Sequence, residues 1–388
     1  MTADSATPPA RRSAPELRWG VLGPGTIARR FVDGVAGSRT GRLVAVASRD
    51  GDRARAFVEE HAGATKGADT RAYAGYQPLL DDDGVDAVYI ATPHPFHPRW
   101  AIAAARAGKH LLVEKPVGVN RAQAQAVFDA ARANEVFALE AYMYRCHPQI
   151  ARVVELVTDG AIGRVHAIDA AFAFKARFDP TSRAFDRALA GGGILVVGGY
   201  PVSFARLVAG ASLAADGAPA PFADPVAVTG GGTLGASGVD EWAVGTLTFD
   251  NGVTAAVSTG VGLTDHNGAR VTGTGGYLQI PKPWVPPDHA AATLVLHRVG
   301  HDPETIEVPA GHLYSYEVDE VADHLGDRQS PLMSWADSLG NLAVMDTWRE
   351  LVGVRFDQDD EAADQVADEA ADQEADEAAA PGRSGAAG

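Results

Sequence analysis

The chain has 388 residues, of which 46% are hydrophobic, and its formal net charge is −17 at pH 7. This length predicts two domains, and the negative charge argues against nucleic acid as a partner. We find no apolar run near the roughly 18 residues that a membrane span requires and no signal peptide, so we expect a cytoplasmic protein. The lone cysteine, Cys146, excludes disulfides and thiolate metal sites within the chain.

Both ends of the chain have the composition of tails. We interpret residues 1–16 as a flexible tail, because their arginine pair has no apolar segment behind it. Residues 357–377 hold 11 acidic side chains among Ala and Gln. We therefore predict a disordered acidic tail over residues 357–388, with a solvating role as the simpler interpretation and a partner-binding arm as the alternative.

The first element after the tail is a short apolar run, followed by glycines and a helical pattern. The spacing Gly23-x-Gly25-x-x-Ala28 matches the dinucleotide fingerprint between a strand and a helix. Gly23 permits a tight turn, Gly25 lets a pyrophosphate approach the backbone, and Ala28 lets the helix pack closely on the strand. The first helical residues, Thr26 and Ile27, would present N–H groups to the anion. A plain glycine turn is the alternative.

Residues 42–47 predict a second buried strand that ends at Ser48-Arg49-Asp50. In a dinucleotide fold this strand end meets the adenosine ribose, and an acidic side chain there would bind the 2′-hydroxyl of NAD. Ser48 and Arg49, with Arg53 one turn further, suit a 2′-phosphate instead, because a guanidinium pairs with phosphate oxygens. We therefore predict NADP rather than NAD. The alternative is that Arg49 is a solvated loop charge and Asp50 takes the acidic role.

The rest of the first half alternates strands with helices. Apolar patterns predict strands over 19–22, 86–91, 109–113 and 136–140, and helices over 53–61, 98–107 and 121–133. This alternation predicts a doubly wound parallel sheet with helices on both faces, in which ligands bind at the carboxyl ends of the strands. Residues 92–97, Glu114, Lys115 and Glu140 should therefore lie at the same edge as the glycines.

After residue 144 the pattern changes to strand-like segments, two of them joined by an Asn-Gly hairpin signal at 251–252. Helical residues 316–325 and 335–352 are expected to close this second domain. The predicted organisation is a tail over 1–16, a Rossmann domain over 17–143, an α+β domain with an open, mainly antiparallel sheet over 144–356, and the acidic tail.

Lys115 and Tyr200 are the candidates for chemistry. Each alone has a simpler interpretation, a surface lysine and a core tyrosine. Hydride transfer from a carbinol carbon needs a group that takes the hydroxyl proton, and a free phenol, with a pKa of about 10, is a poor base near neutrality. A nearby ammonium could lower that pKa by about one to three units. We therefore predict that the two form a proton-transfer pair across the cleft between the domains.

These segments together resemble the Gfo/Idh/MocA oxidoreductase family over roughly residues 17–356. The matching segments are G-V-L-G-P-G-T-I-A, A-S-R-D, A-T-P-H-P-F-H, A-G-K-H-L-L-V-E-K-P and E-A-Y-M-Y-R-C-H-P. The segment G-G-Y-P-V-S resembles the branch that includes dimeric dihydrodiol dehydrogenases, NADP-dependent xylose dehydrogenases and glucose–fructose oxidoreductase. The resemblance implies an NADP-dependent oxidoreductase for a sugar, polyol or cyclic diol, with Lys115 and Tyr200 catalytic. It also implies a homo-oligomer formed through the second sheet.

The chain departs from this family at one position. Relatives carry an aspartate four residues before the tyrosine, and this chain has Val196 there. The loss suggests a less polar substrate or a weakened enzyme, and Asp179 or Asp186 could supply a replacement carboxylate. Two further hypotheses stay open: a non-catalytic dinucleotide-binding regulator, which Val196 favours, and NAD-dependent glycoside cleavage by transient oxidation.

In relatives the loop after Thr92 runs beside the cofactor, so Thr92, Pro93 and His97, together with Glu114, are predicted to bind it. His94 and His97 could also contact nicotinamide or substrate, whereas an extended loop with no third ligand argues against a metal site. Arg145 and His147 follow the last strand of the first domain. They either face the cleft or pack in the linker.

Overall fold

The computed structural model describes residues 14–61, 69–213 and 220–359. The two predicted tails lie outside these residues, except for 14–16 and 357–359. The last three form a short 3₁₀ turn, Asp357–Asp359.

Within the described residues, six parallel strands form the first sheet, in the order β3-β2-β1-β4-β5-β6. They are β1 Leu17–Leu22, β2 Gly41–Ser48, β3 Arg71–Ala74, β4 Ala87–Ile90, β5 His110–Glu114 and β6 Ala138–Ala141. The predicted doubly wound parallel sheet is confirmed. β3 was not predicted, because this short edge strand has no buried residue and so lacks an apolar run.

Helices cover this sheet. The strands β1 to β3 extend it in one direction and β4 to β6 in the other, so the strand order reverses between β1 and β4. The helices are α1 Thr26–Gly37, α2 Gly51–Glu60, α3 Gln77–Leu80, α4 His97–Arg106 and α5 Arg121–Ala133. α1 buries Ala28, Phe31 and Val32 against the sheet. Where the strand order reverses, a crevice forms outside the carboxyl ends of the strands, and this fold binds its ligands there.

The second sheet has eight strands in the described part of the chain, in the order β14-β13-β12-β11-β7-β10-β9-β8. The strands are β7 Val165–Ala173, β8 Ala227–Leu234, β9 Asp240–Thr248, β10 Thr254–Gly260, β11 Ala269–Gly273, β12 Gly276–Ile280, β13 Ala292–Arg298 and β14 Glu304–Val308. The predicted mainly antiparallel sheet is confirmed, although β7 and β10 pair in parallel. β8 was not predicted, since three consecutive glycines, 230–232, conceal its strand character.

Four longer helices accompany this sheet in the described part of the chain. They are α6 Pro148–Thr158, α7 Gly199–Ser212, α8 Leu313–Asp323 and α9 Trp335–Val352. A π-helical turn, Ile194–Gly198, precedes α7. By length and composition the helical stretch Arg187–Ser212 could cross a membrane, and our sequence analysis did not identify it. Its apolar window is wholly buried within the protein, which is typical of a core helix.

We expected the last two helices to close the second domain. α9 does contact that domain, since Trp348 Nε1 donates to the Val244 carbonyl of β9 at 3.0 Å, and both helices also pack on the first domain. Ser315 Oγ in α8 donates to the Gly34 carbonyl of α1 at 2.8 Å. Trp335 Nε1 in α9 donates to the Ala138 carbonyl of β6 at 2.9 Å. The reason for the close α1–α8 approach is Gly34, where an added Cβ would lie 2.8 Å from the Tyr314 carbonyl carbon.

This contact gives a stability prediction. Gly34→Ala should destabilise the protein by about 1–3 kcal/mol, because a methyl group forced between two packed helices costs more than the gain in helix propensity. Thermal and urea unfolding followed by circular dichroism measure the effect. The matched control is Gly231→Ala, where an added Cβ meets nothing within 4 Å. If Gly34→Ala were as stable as the Gly231→Ala control, the close packing of α1 on α8 would not depend on Gly34.

Candidate active site

A cleft of about 1240 Å³ opens at the carboxyl edge of the first sheet. It is lined by Gly23, Pro24, Gly25, Thr26, Ile27, Ser48, Arg49, Asp50, Arg53, Tyr76, Ala91, Thr92, Pro93 and Arg183. The structure thus brings together most of the residues that we predict to bind the cofactor, from segments up to 70 positions apart in the sequence.

The glycine turn has the backbone geometry that a dinucleotide requires. Gly23 has a φ of +92°, and an added Cβ would lie 2.9 Å from the Ala91 carbonyl oxygen. At Gly25 an added Cβ meets nothing within 4 Å, so this position faces open space. Gly25 also supplies no side-chain cap to α1, which leaves the first N–H groups of the helix available to an anion. These residues therefore fit a bound pyrophosphate.

The end of β2 carries two arginines into the same cleft. Arg49 and Arg53 are exposed there, and among the described residues neither forms an ion pair. Asp50 caps α2, since its carboxylate accepts hydrogen bonds from the Asp52 N–H at 2.9 Å and the Arg53 N–H at 3.4 Å. Oδ1 of that carboxylate is therefore already engaged in capping, which weakens the alternative that Asp50 binds a ribose hydroxyl.

Lys115 lies directly after β5 and is only 8% exposed. Its Nζ donates to the Val196 carbonyl at 2.6 Å. In a π-helix this carbonyl would accept a hydrogen bond from the N–H of the fifth residue after it. That residue is Pro201, which has no N–H, so the carbonyl is free to accept from Lys115. Burial, followed by the charge of Arg183, lowers the pKa of Lys115 to about 8. Lys115 is thus a buried cation held between the two domains.

Tyr200 lies beside Lys115 but in a different arrangement from the predicted one. The Lys115 ammonium is 5.2 Å from the centroid of the Tyr200 ring, so the cation faces the ring. The phenol hydroxyl instead donates to Met143 Sδ at 3.2 Å. Burial raises the pKa of Tyr200 well above its usual value. This direction is opposite to the lowering that we expected, because burial desolvates the phenolate and the negative charge of Glu114 adds to that effect.

Neither Lys115 nor Tyr200 lines the wide cleft, and Tyr200 is 3% exposed. The Tyr200 ring packs edge-on against Tyr142, Phe172 and Trp284. The pair therefore lies behind the inner end of the cleft, within an aromatic cluster.

His97, predicted to contact the cofactor, lies outside the cleft lining. Its Nδ1 is 2.8 Å from the Pro116 carbonyl and its Nε2 is 2.7 Å from the Thr92 carbonyl. Burial lowers the pKa of His97 to about 4. The ring thus holds the backbone of two strand-end loops together. His94 is also buried, with Nδ1 3.2 Å from the Ala190 carbonyl and Nε2 without a partner among the described residues.

Glu114 also lies behind the cleft and does not line it. Its carboxylate accepts hydrogen bonds from the Tyr89 hydroxyl and, at 3.2 Å, from the Lys115 N–H. Glu140, at the next strand end, accepts from the Val117 N–H at 3.0 Å, and burial raises its pKa to about 7. These carboxyl groups therefore support the strand ends instead of reaching the cleft.

The two aspartates considered as replacements at position 196 are engaged in local turns. Asp179 accepts from the Thr181 N–H and Asp186 from the Ala188 N–H, both at 2.9 Å. Neither lines the cleft, so the structure does not support a replacement by these residues.

Arg145 and His147 pack in the linker. The Arg145 guanidinium donates to Asp337 Oδ2 and to Ser203 Oγ, both at 2.9 Å, in a fully buried ion pair. His147 Nδ1 accepts from the Gln149 N–H at 3.1 Å and so caps α6. Of the two alternatives left open, the structure favours packing.

Sequence reasoning did not identify Arg183, which lines the cleft from the second domain. It lies in an irregular segment between β7 and the π-helical turn, where no motif or apolar period marks it. In the described ranges, no group of three or more His, Cys, Asp or Glu residues is placed to hold a metal ion.

Comparison with known proteins places the chain in a family. Residues 17–142 match the model described as "Oxidoreductase family, NAD-binding Rossmann fold", and residues 150–279 match the "GFO/IDH/MocA C-terminal domain". A trans-1,2-dihydrobenzene-1,2-diol dehydrogenase of Mus musculus is 32% identical over 88% of this chain and 99% of its own length. A D-xylose 1-dehydrogenase (NADP(+)) of Haloferax volcanii is 32% identical over 85% and 95%.

The structural comparison agrees. A 3-ketoreductase from Actinomadura kijaniata, solved with NADP and TDP-benzene, superposes with a TM-score of 0.75 at 28% identity, covering 87% of this chain and 98% of the reductase. The chain therefore belongs to the Gfo/Idh/MocA family of oxidoreductases.

Proposed function

We propose that this protein is an NADP-dependent oxidoreductase that transfers hydride between nicotinamide and a hydroxyl or carbonyl carbon of a sugar, polyol or cyclic diol. The observation that carries the proposal is the cleft in which the glycine turn at Gly23 and Gly25 faces Arg49 and Arg53. The relatives support it, since they are named as diol and NADP-linked xylose dehydrogenases, and the similar 3-ketoreductase was solved with NADP.

The choice of NADP rests on charge. Arg49 and Arg53 offer two guanidinium groups at the strand end where the adenosine ribose binds in this fold, and Asp50 already caps α2. A 2′-phosphate there gains charge-assisted hydrogen bonds, which are about twice as strong as neutral ones. The N–H groups at the start of α1 hold the diphosphate.

We assign the transfer of the proton to Tyr200. A bound nicotinamide supplies or accepts the hydride, and the protein must supply or accept the proton. Because burial raises its pKa, Tyr200 stays protonated near neutrality, and it is therefore suited to donate a proton to the oxygen of a carbonyl under reduction. Its hydroxyl is held by the Met143 thioether, a weak acceptor that a substrate oxygen can replace.

Lys115 is assigned to electrostatic stabilisation. Its ammonium is held by a neutral carbonyl, that of Val196, and not by a carboxylate. Negative charge that develops on a substrate oxygen nearby would be stabilised by this ammonium in a site with little water, although Glu114 and Glu140 also attract the ammonium.

One set of observations favours a second candidate, a dinucleotide-binding regulator without turnover. Lys115 and Tyr200 do not line the cleft, and Val196 stands where the family resemblance implies an aspartate. Tight NADPH binding without turnover on aldoses, polyols, dihydrodiols and the matching ketones would support that candidate. The homo-oligomer through the second sheet and the cytoplasmic location stay predictions.

Gly25→Ala should weaken NADPH binding by about 10-fold or more, because a methyl group would occupy the position at which the diphosphate approaches the backbone. The unfolding midpoint should not fall, since the added Cβ meets nothing within 4 Å. Fluorescence titration with NADPH measures the affinity. Gly231→Ala serves as the control, and unchanged NADPH affinity in Gly25→Ala would contradict the placement of the diphosphate.

Replacing both Arg49 and Arg53 by Gln should weaken NADPH binding by about 10- to 100-fold and leave NADH binding nearly unchanged, because only NADPH carries the 2′-phosphate. Titrations with both nucleotides test this. Arg55→Gln is the matched control, since Arg55 is on the same helix, pairs with Asp52 and lies outside the cleft lining. Tighter binding of NADH than of NADPH by the unaltered protein would refute the assignment.

Tyr200→Phe should lower kcat by about 10²- to 10⁴-fold with NADPH affinity retained, because the ring still fills its pocket while the proton donor is lost. The assay follows nicotinamide absorbance with the best substrate of the panel above. Tyr142→Phe is the control, since its hydroxyl accepts from Asn341 Nδ2 at 3.1 Å. A loss below about tenfold would remove Tyr200 from proton transfer.

A further inference from the structure

Among the described residues that line the cleft, Arg183 alone comes from the second domain. Its segment is held on both sides: the Phe185 N–H donates to the Ser182 carbonyl and the Gly192 N–H to the Ala184 carbonyl, both at 2.9 Å. The Phe185 ring is buried and packs edge-on against Phe178, with centroids 5.2 Å apart. Arg183 itself is exposed. The backbone therefore presents a solvated guanidinium to the cleft from a fixed position.

The segment that carries Arg183 packs against the loop after β4. A Cβ at Gly191 would lie 2.9 Å from the Arg183 carbonyl oxygen, and the adjacent Ala190 carbonyl is 3.2 Å from His94 Nδ1. In line with this position, the positive charge of Arg183 lowers the pKa of Lys115, His94 and His97. Within the described parts of the chain, Arg183 forms no ion pair. The charges of Arg183 and Lys115 thus repel each other, and no ion pair of Arg183 offsets this repulsion.

The carboxyl groups nearby offset this repulsion only in part, since Glu114 and Glu140 raise the pKa of Lys115 by less than burial and Arg183 lower it. Glu114 is engaged by the Tyr89 hydroxyl on the sheet side of Lys115, and burial raises the pKa of Glu140 to about 7. At position 196, where the family resemblance implies an aspartate, this chain has a valine, whose carbonyl receives the Lys115 ammonium. The inner end of the cleft is therefore more positive than a site that retains the aspartate.

The other cationic groups of the cleft already have counterparts in the cofactor. Arg49 and Arg53 face the ribose phosphate and the start of α1 faces the diphosphate, as proposed above, which leaves Arg183 without a cofactor group of its own. Guanidinium groups bind carboxylates and phosphates through paired, charge-assisted hydrogen bonds.

We propose that Arg183 forms an anion subsite beside Lys115, and that the preferred substrate is an acidic sugar or polyol whose carboxylate or phosphate binds this guanidinium. The proposal rests on the proposed function, because the cofactor assignment leaves Arg183 to the substrate. The anion that Arg183 binds could also be the cofactor diphosphate, and the experiment below distinguishes it from an anionic group of the substrate.

The experiment compares D-glucose, D-glucuronate and D-glucose 6-phosphate as ligands of the NADP-loaded protein. Binding is measured by calorimetry, and kcat/KM is measured for each compound that turns over. The variants are Arg183→Gln and Arg183→Lys, and the matched control is Arg177→Gln, an exposed arginine of the same segment outside the cleft lining. NADPH affinity is titrated for every variant.

We expect the unaltered protein to bind at least one acidic compound at least tenfold more tightly than glucose. Arg183→Gln should weaken that binding by about 10- to 100-fold while glucose and NADPH affinities stay within about twofold, and Arg183→Lys should recover part of the loss. The control should match the unaltered protein.

Three results would overturn the proposal. In the first, the unaltered protein shows no preference for either acidic compound. In the second, Arg183→Gln weakens the binding of all three compounds equally, which indicates a general positioning role. In the third, Arg183→Gln weakens NADPH binding about tenfold without a selective loss of affinity for the acidic compounds, which assigns Arg183 to the cofactor diphosphate. Failure of the proposed function is read separately, as absence of NADPH binding by the unaltered protein.

Discussion

The hydrogen bond from Lys115 Nζ to the Val196 carbonyl, 2.6 Å long, is the contact on which the account of this site depends. It joins the carboxyl end of β5 in the first sheet to the helical turn that leads to Tyr200 in the second domain. A buried ammonium is costly unless it is paired, and here its partners are a neutral carbonyl and the face of a phenol ring. The charge thus stays available to a ligand at the junction of the domains.

The charge that lines the cleft is opposite in sign to the net charge of the molecule. The chain carries a formal charge of −17, yet the cleft is lined by three arginines and a single acid, Asp50, which caps α2. A positive cleft on a negative protein concentrates anionic ligands where the backbone N–H groups of α1 can bind them. The phosphate groups of the cofactor and the anionic group of an acidic substrate would both meet this field.

Much of the first domain could be predicted from the sequence, because its strands are continuous apolar runs and its glycine turn has a characteristic spacing. Most cleft residues from Gly23 to Pro93 followed from one rule, that parallel strands end at the same edge, but Tyr76, after the unpredicted β3, did not. The rest depended on tertiary packing. β3 and β8 lack apolar patterns, and the close approach of α8 to α1 requires Gly34, a residue without a Cβ. Arg183 comes from an irregular segment that only the folded chain brings to the cleft.

The chemistry of individual side chains was harder to predict than their neighbourhood. Lys115 and Tyr200 are adjacent, as expected, but burial sets the pKa of the phenol, and no sequence pattern reports how deeply a side chain is buried. His97 follows the expected strand end as the first residue of α4, yet its two ring nitrogens face backbone carbonyls and not the cleft. Direction and burial of a side chain are properties of the packed structure.

The most direct test of the central claim is a crystal structure of the complex with NADP. We expect the diphosphate at the start of α1, the 2′-phosphate within about 3.2 Å of the Arg49 or Arg53 guanidinium, and the nicotinamide ring at the end of the cleft beside Lys115 and Tyr200. A nicotinamide ring directed away from Lys115, or a 2′-phosphate beyond reach of both arginines, would contradict that claim.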